Sequence, residues 1–254
     1  MIEVKDLFFS YKNKEVIKDI NLKLNSGLVY CLLGKNGSGK TTLLRLLAGL
    51  LEPDLGYISL YGDDIRTINR KKIAEIISYV PQGHEAYFPY SVIDMVVMGR
   101  APYLDIFSRP QKEDYQKADE VLCRLGIMGL RNRNYIELSG GEKRLVFIAR
   151  ALVQETDYIF LDEPTANLDF SNQKMITDIL KNISRQRERG VIVSLHDPNL
   201  VSAFSDEVIL MKSGKIINQG VIKEIMNENN LIKTYDIDIE MINYSEERRI
   251  FFSS

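Results

Sequence analysis

The segment GKNGSGKT, from Gly34 to Thr41, restricts the folds open to this chain more than any other stretch of its 254 residues. It matches the pattern GxxxxGK[ST], in which glycines let backbone N–H groups converge on phosphate oxygens. The apolar run GLVYCLL precedes it, and the predicted helix TTLLRLLAGL follows it. A glycine-rich loop between a buried strand and a helix is the context that supports phosphate binding, so we expect a phosphate site there.

Two residues of this loop carry distinct chemistry. The Lys40 ammonium is expected to bridge the β- and γ-phosphates of a nucleoside triphosphate, and the Thr41 hydroxyl to bind Mg²⁺. The whole predicted phosphate-binding set is Gly34, Asn36, Gly37, Ser38, Gly39, Lys40, Thr41 and Thr42.

A second apolar run, YIFLDEP, ends in the carboxylates Asp162 and Glu163. In open parallel sheets ligands bind at the carboxyl ends of the strands, which is where these two acids would lie. We expect Asp162 to hold Mg²⁺ through its water shell. Glu163 points differently and is expected to polarise an attacking water as general base. The alternative is a buried strand that ends in a solvated acidic turn.

Composition and charge favour some classes of protein over others. The chain has 33 basic and 35 acidic residues, and no basic excess that would favour a nucleic-acid partner. Cys31 and Cys123 lie far apart, which indicates two thiols in a reducing compartment. No apolar run reaches the roughly 18 residues of a membrane helix, and the N-terminus lacks a secretion leader. We therefore expect a cytosolic protein that reaches a membrane only through a partner.

Strand and helix patterns alternate along most of the chain, which predicts a parallel sheet with right-handed crossovers. From about Ser91 to Leu152 three helical segments occur together, and we interpret them as a helical insertion. The run EVILMKSGKIINQG predicts a hairpin that turns at Ser213 and Gly214. The segment after Val221 mixes a short helix with weak strands, and its role stays open.

The stretch ELSGGEKRLVFIARAL contains a second glycine-rich helix start. Ser139 and Glu142 have the spacing of a capping box, which accounts for both residues without any ligand. A cap does not require the adjacent Gly140 and Gly141, each of which weakens a first helical turn by roughly 1 kcal/mol against alanine. The two glycines therefore indicate that another group, not part of the cap, comes close to the backbone of this helix start.

The motif LSGGEKR resembles the signature of ATP-binding cassette (ABC) ATPases, and the resemblance extends from Ile2 to about Gly220. GKNGSGKTT looks like the Walker A loop of that family and YIFLDEP like its Walker B strand. The resemblance implies binding of ATP and Mg²⁺ by an α/β fold, with a P-loop NTPase (RecA-like) core, an antiparallel β subdomain and a helical insertion. It implies a single ABC ATPase domain over 1–254, divided into an ATP-binding core (1–86 and 153–220), a helical subdomain (87–152) and a C-terminal extension (221–254).

The resemblance also implies roles for single residues. Tyr11 matches the aromatic that stacks on adenine, Gln82 the Q-loop glutamine, and His196 the switch histidine that contacts the γ-phosphate. Taken alone, Tyr11 fits an exposed loop tyrosine about equally well, and His196 fits a core-edge histidine. The implied catalytic residues are Lys40, Gln82, Glu163 and His196, and the implied Mg²⁺ ligands are Thr41, Gln82 and Asp162.

Cassettes of this family pack head to tail as dimers, with two ATP molecules between them. The signature of one copy closes on the γ-phosphate that the other copy holds. The resemblance therefore implies a homodimer in which the second glycine-rich helix start contacts ATP bound to the partner. The residues implied in this contact are Ser139, Gly140, Gly141, Glu142 and, from the D-loop NLD (Asn167 to Asp169), Asp169.

The signature departs from the usual family pattern at its last position, where Glu142 stands in place of Gln. A capping box accepts either residue, so the helix start is unharmed. An ionised carboxylate only accepts hydrogen bonds and would bring negative charge toward a triphosphate. We hypothesise that Glu142 points back to its own helix cap.

Several classes of protein share such a cassette. A DNA-maintenance ATPase with a long coiled coil is excluded, because the interval between Lys40 and Ser139 leaves no room for one. The remaining alternatives are the ATPase subunit of a membrane importer and a soluble cassette of a cytosolic assembly, such as the one for iron–sulphur clusters. The stretch VVMGRAPYL resembles the equivalent part of importers for ferric siderophores, haem and vitamin B12, which favours import of a metal chelate.

Aromatic residues surround that stretch, namely Tyr87, Phe88, Tyr90, Tyr103 and Phe107. We interpret them as a groove that receives a short helix of a membrane subunit, with packing on the ATPase core as the alternative. The implied partners are integral membrane permease subunits and, indirectly, an extracytoplasmic solute-binding protein. The implied location is the cytoplasmic face of the cell membrane.

Overall fold

The computed structural model of the chain describes residues 1–83, 89–105, 108–166, 168–187, 189–245 and 248–253. The predictions for Tyr87, Phe88, Phe107 and Asn167 therefore lie outside the described residues. The strands are β1 (Ile2–Tyr11), β2 (Lys14–Leu24), β3 (Val29–Leu33), β4 (Leu55–Leu60), β5 (Asp63–Asp64), β6 (Ile77–Val80), β7 (Tyr158–Asp162), β8 (Gly190–Leu195), β9 (Glu207–Lys212), β10 (Lys215–Val221), β11 (Ile239–Ser245) and β12 (Arg248–Ser253). The α-helices are α1 (Lys40–Leu47), α2 (Arg70–Ile76), α3 (Val92–Val97), α4 (Lys112–Arg124), α5 (Gly140–Val153), α6 (Phe170–Arg187), α7 (Pro198–Phe204), α8 (Ile222–Ile225) and α9 (Glu228–Tyr235).

The larger sheet has six strands in the order β10-β9-β3-β8-β7-β6. The strands from β9 to β6 run parallel, and β10 pairs antiparallel with β9. β3, β7 and β8 are buried along their whole length, as the apolar sequences of β3 and β7 predict for those two strands. The predicted parallel sheet is confirmed, and four of its strands end at one edge, where the next residues are Gly34, Pro81, Glu163 and His196.

The smaller sheet is antiparallel, with the order β2-β1-β4-β5. Ile2 lies opposite Leu24 at one end of the β1–β2 pair, and Tyr11 lies opposite Lys14 at the other. Helix α1 lies between the two sheets, because its buried leucines share one core with both β1 and β7. The phosphate-binding segment is therefore held between a fully buried strand and a helix that buries most of its residues.

Helices cover the opposite face of the larger sheet and form a second core with it. Among them, α3, α4 and α5 pack on one another, which confirms the predicted helical texture of this region. Gly99 allows a close approach to α5, because a Cβ there would lie 2.2 Å from the Arg150 carbonyl oxygen. The helical spacing of SVIDMVVMGR extends further than α3 does, since a 3₁₀ segment, Met98–Tyr103, follows Val97. Pro102 lies in that segment and has no N–H to continue an α-helix.

The hairpin predicted at Ser213 and Gly214 is present, with both residues in left-handed conformations (φ 49° and 85°). After it the chain forms α8, α9 and the hairpin β11–β12. This last hairpin is fastened to α7, where the Asn199 side chain exchanges hydrogen bonds of 3.0 and 2.8 Å with the backbone of Phe251. In the described ranges no helix is both long and apolar enough to cross a membrane.

Candidate functional site

An open cavity of about 680 Å³ lies over the carboxyl ends of β3, β6 and β7. Its walls are the phosphate loop (which we define as Gly34–Thr42), the start of β2 and the β9–β10 turn. The lining residues are Lys14, Glu15, Val16, Lys18, Asn36, Gly37, Gly39, Lys40, Thr41, Thr42, Gln82, Glu163, Ser213 and Gly214. Most of the predicted phosphate-binding set thus faces one cavity.

Two glycines of the phosphate loop are required by its shape. A Cβ on Gly34 would lie 2.2 Å from the Met211 carbonyl oxygen, so the loop passes too close to β9 for any side chain. Gly39 precedes α1 with a φ of 106°, a conformation that other residues rarely adopt. The loop therefore turns directly into the N-terminus of α1, which favours an anion by its free N–H groups and its dipole.

The side chain of Lys40, the first residue of α1, is folded back onto the phosphate loop. Its ammonium donates to the carbonyl oxygens of Gly34 at 2.7 Å and Lys35 at 3.2 Å. Burial lowers the pKa of Lys40, whereas the nearby Glu163 and Asp162 carboxylates act in the opposite direction. A cation held at this point lies beside any phosphate oxygen that enters the loop.

Two of the three predicted Mg²⁺ ligands, Thr41 and Asp162, are adjacent, whereas the amide of the third, Gln82, donates to Glu163. Thr41 Oγ1 donates to Asp162 Oδ1 at 3.0 Å, and Ser194 Oγ donates to the same carboxylate oxygen at 2.6 Å. The Tyr79 hydroxyl lies 3.4 Å from Asp162 Oδ2, and burial raises the pKa of Tyr79 to about 12, so it stays a neutral donor. A hydroxyl and a carboxylate are hard oxygen ligands, so this pair fits Mg²⁺.

Glu163 lies at the centre of the predicted catalytic group. Its Oε2 accepts a hydrogen bond from Gln82 Nε2 at 2.6 Å, and its Oε1 lies 4.0 Å from His196 Nδ1. Its backbone adopts a φ of 46°, which is uncommon for a residue with a side chain, and Ser194 Oγ accepts its N–H at 2.9 Å. The structure thus brings Glu163, Gln82 and His196 together, although the His196 side chain is 55% exposed and does not line the cavity.

Tyr11 is not among the cavity-lining residues. Its ring packs edge-on against Phe9, with 4.9 Å between ring centroids, and the side chain is exposed at the end of β1. The cavity wall nearby in sequence is formed instead by Lys14 and Val16. The stacking of Tyr11 on adenine stays a prediction.

The segment Ser139–Glu142, which we call the signature segment, lies outside this cavity. The predicted capping box is present: the Ser139 N–H donates to Glu142 Oε2 at 2.8 Å, and the Glu142 N–H donates to Ser139 Oγ at 3.3 Å. The hydrogen bond from the Ser139 backbone lowers the pKa of Glu142. The hypothesis that Glu142 points back to its own helix cap is confirmed.

The two glycines of the signature segment have different surroundings. A Cβ on Gly140 would meet nothing within 4 Å, whereas one on Gly141 would lie 3.0 Å from Asn172 Nδ2. Asn172 in turn donates to Asp169 Oδ2 at 3.0 Å, and its N–H donates to Asp169 Oδ1 at 2.8 Å. Asp169 therefore lies in the neighbourhood of the signature segment and caps α6.

Sequence reasoning missed several residues that hold this site. Ser194 was detectable as the only polar residue within the apolar strand GVIVSL. Arg144, at the end of the motif LSGGEKR, donates to the carbonyl oxygens of Pro81, Gln82 and Glu163. The Tyr235 hydroxyl donates to the His196 carbonyl oxygen at 2.8 Å from the far end of the chain, and nothing in the local sequence indicates that contact.

Comparison with known proteins agrees with this geometry. The family profile described as "ABC transporter" matches residues 17–166. A protein of Helicobacter pylori (strain J99) described as a probable iron chelatin transport ATP-binding protein is 36% identical over 252 residues, 99% of each chain. The petrobactin import ATP-binding protein YclP of Bacillus subtilis is 30% identical over the full length of both chains. A solved chain described as part of an inward-facing ABC transporter of metal-chelate type has a TM-score of 0.88 and 32% identity, covering 100% of this chain and 96% of that one.

Proposed function

This chain belongs to the ABC transporter family and is an ATP-hydrolysing enzyme, and from that premise we propose that it is the ATPase subunit of a membrane importer for a metal chelate. Two relatives that match nearly its whole length are described as iron chelatin transport and petrobactin import proteins. We place the solute in the class of ferric siderophores, haem and cobalamin. No relative reported above is described as an assembly factor, so the soluble iron–sulphur alternative is not favoured.

One observation carries the catalytic part of the proposal, namely the convergence of three groups on one cavity. The Lys40 ammonium, the Thr41 side chain (bonded to the buried Asp162) and the Gln82–Glu163 pair reach it from the start of α1 and from the residues after β6 and β7. Active sites of parallel α/β sheets occupy this position. We assign the cavity to ATP, with the phosphates in the phosphate loop and the base on the side of Tyr11, Lys14 and Val16.

We propose the following roles in hydrolysis. Lys40 and the loop N–H groups hold the β- and γ-phosphates, and Thr41, Asp162 and Gln82 are the residues that would hold Mg²⁺. The bound ion would supply neutralising charge for the phosphates. Glu163 orients a water and accepts its proton as the water oxygen bonds to the γ-phosphorus and the bond to the β-phosphate oxygen breaks. His196 contacts the departing phosphate, and the products are ADP and inorganic phosphate.

We propose that two copies form a head-to-tail homodimer in which each signature segment closes on ATP held by the other copy. The exposed Gly140 supports this, since open space at a helix N-terminus is suited to an anion that arrives from outside the chain. Asn172 links the signature segment to Asp169, which supports a shared role for both at the interface. ATP binding would close the dimer, and loss of ADP would open it.

We place the contact with permease subunits on the helical insertion, at the cytoplasmic face of the membrane. Among the aromatics predicted there, Tyr103 is 40% exposed and its hydroxyl donates to the Gln154 carbonyl oxygen at 2.7 Å. The same ring lies under the Arg100 guanidinium at 4.1 Å, so packing on its own chain accounts for part of this residue. The remaining exposed area is available to a membrane subunit, and an extracytoplasmic solute-binding protein would act through that subunit.

The proposed role in an importer can be tested by capturing the membrane subunit to which this chain binds. Tagged Glu163→Gln protein with ATP is incubated with detergent-solubilised membranes of the source organism, and bound proteins are identified by mass spectrometry. We expect a many-helix membrane protein in equal amount, and the same protein without nucleotide serves as the control. Reproducible capture of soluble assembly factors alone would overturn the importer and leave the ATPase in place.

A further inference from the structure

Arg144 links the helix that carries the signature segment to the ends of two other chain segments. It lies one turn into α5, and its guanidinium donates to the carbonyl oxygens of Pro81 at 3.0 Å, Gln82 at 2.8 Å and Glu163 at 3.2 Å. The planar guanidinium carries five N–H donors in a fixed fork, so one side chain can hold three acceptors at defined angles. Lysine, with a flexible ammonium, has no equivalent geometry.

The three acceptors belong to the backbone of the proposed catalytic groups. Pro81 and Gln82 follow β6, and the Gln82 side chain donates to Glu163 Oε2 at 2.6 Å. Arg144 therefore fixes the main chain of Gln82 while Glu163 fixes its amide. Arg144, Gln82 and Glu163 are thus joined pairwise by hydrogen bonds.

Arg144 binds Glu163 through its backbone carbonyl, and the backbone of Glu163 has an uncommon conformation. At a φ of 46°, its N–H donates to Ser194 Oγ at 2.9 Å, and its carbonyl oxygen accepts from Arg144 and from the Ala166 N–H at 3.2 Å each. A residue held in this sparsely populated conformation depends on its surroundings to stay there. The direction of the Glu163 carboxylate thus depends in part on α5.

The same helix begins at the signature segment. Ser139 and Arg144 are separated by less than two turns of a continuous helix, so a displacement of one end moves the other. We propose that Arg144 is a positioning residue that couples the two nucleotide sites of the dimer: contact of the signature segment with the partner's ATP holds Gln82 and Glu163 of its own chain in place. This inference rests on the proposed homodimer.

The test compares Arg144→Met, which keeps an unbranched apolar stem but removes every donor, with Arg144→Lys and a control on the adjacent residue. The control is Lys143→Met, because the Lys143 ammonium lies over the Tyr135 ring at 5.7 Å and touches none of the catalytic groups. For each variant we would measure steady-state ATP turnover, the affinity for a fluorescent ATP analogue, the melting temperature and, by size-exclusion chromatography with ATP and Mg²⁺, the fraction of dimer.

We expect Arg144→Met to lower kcat by roughly 10- to 100-fold, the cost of a small misplacement of catalytic groups, with analogue affinity unchanged. Because closure precedes hydrolysis, this variant should accumulate an ATP-bound dimer, a gain that loss of fold would not produce. Arg144→Lys should recover part of kcat, and Lys143→Met should match the wild type.

Two results would overturn the coupling. One is wild-type turnover in folded Arg144→Met protein. The other is a parallel loss of turnover, analogue affinity and melting temperature without dimer accumulation, which would make Arg144 a support of the fold alone. Glu163→Gln, assayed alongside, separates this from the proposed function: if that variant turns over ATP normally, the catalytic assignment fails whatever Arg144 does.

Discussion

The phosphate loop and the signature segment are both glycine-rich starts of helices, yet the chain treats them in opposite ways. The phosphate loop passes so close to β9 that Gly34 has no room for a Cβ, and the same chain supplies Lys40 and Asp162 beside it. The first two residues of the signature segment, Ser139 and Gly140, are exposed, and Gly140 has open space on its side. Its polar groups are occupied by its own capping box.

The difference shows what a helix N-terminus needs in order to become a binding site. The free N–H groups are common to both, but of the two only the phosphate loop combines them with a buried ammonium, an adjacent hydroxyl–carboxylate pair and a cavity. Among the described residues the signature segment has a cation beside it, the exposed Arg133 at 3.7 Å from Glu142 Oε1, and the segment does not line the cavity. In the proposed dimer it is half of a site, and the other half comes with ATP on the second copy.

The largest effect is expected from a substitution that blocks ATP hydrolysis and leaves both the phosphate loop and the signature segment unchanged. Glu163→Gln should lower kcat by about 10²- to 10⁴-fold, the usual contribution of a general base, while ATP still binds. Phosphate-release kinetics and size-exclusion chromatography with ATP would measure the loss and the resulting ATP-bound dimer. Glu113→Gln, an exposed carboxylate in the first turn of α4, is the matched control and should be silent. Undiminished hydrolysis by Glu163→Gln would refute the assignment.

Two matched glycine substitutions, one in the phosphate loop and one in the signature segment, test directly whether the two segments differ. Gly34→Ala forces a methyl to within 2.2 Å of the Met211 carbonyl oxygen, so we expect lost ATP binding and a stability decrease of about 1–3 kcal/mol from overpacking. Gly140→Ala meets nothing in its own chain and should raise stability by up to about 1 kcal/mol, since alanine favours the helix.

The rate of ATP turnover shows whether Gly140→Ala does more than stabilise the helix. The Gly140→Ala methyl would stand where the partner's phosphate approaches, so kcat should fall although ATP still binds to the isolated chain. Chemical denaturation and turnover assays on both variants would report the outcome. Full activity of Gly140→Ala would mean that no ligand comes near the signature segment.

We expect a smaller effect from removing the contact between Tyr235, in the C-terminal part of the chain, and His196. Tyr235→Phe removes the hydrogen bond to the His196 carbonyl oxygen, so the free energy of unfolding should drop by about 0.5–1.5 kcal/mol. Turnover should decrease modestly, and ATP affinity should stay the same. Denaturation and kinetic measurements on Tyr235→Phe, beside Tyr61→Phe as a tyrosine remote from the phosphates, would detect it; equal kinetic loss in both variants would argue against a specific link to His196.

The smallest effect concerns Glu142. Since its folded pKa is lowered, its cap contributes stability above the ordinary glutamate pKa and loses it as the pH falls through the folded value. Glu142→Gln keeps the cap in neutral form, so the melting-temperature difference from the wild type should exist near neutral pH and shrink in acid. ATP affinity should not change. A clear rise in affinity would mean that the carboxylate does face the nucleotide.

The sequence predicts the parts of the molecule that depend on nearby residues. The buried strands β3 and β7, the phosphate loop and the capping box at Ser139 all follow from local patterns of apolar, glycine and polar residues. The contacts of Arg144 and Tyr235 join segments far apart in the chain, and no local pattern encodes which carbonyl a long side chain will reach. The same limit applies to Tyr11, because an exposed ring at a strand end has several possible neighbours.

The order of strands in the larger sheet has a consequence for the newly made chain. Strand β3 lies between β8 and β9, and the Val29 N–H is bonded to Asp206, 177 residues later. At about 5–20 residues per second, a ribosome needs roughly 10–35 s to add that length. The antiparallel sheet can form from the first part of the chain alone, whereas the apolar strand VYCLL waits without partners on either side. The phosphate-binding part of the chain is thus made early, and the sheet that positions it is completed late, when β8 and β9 pair with β3.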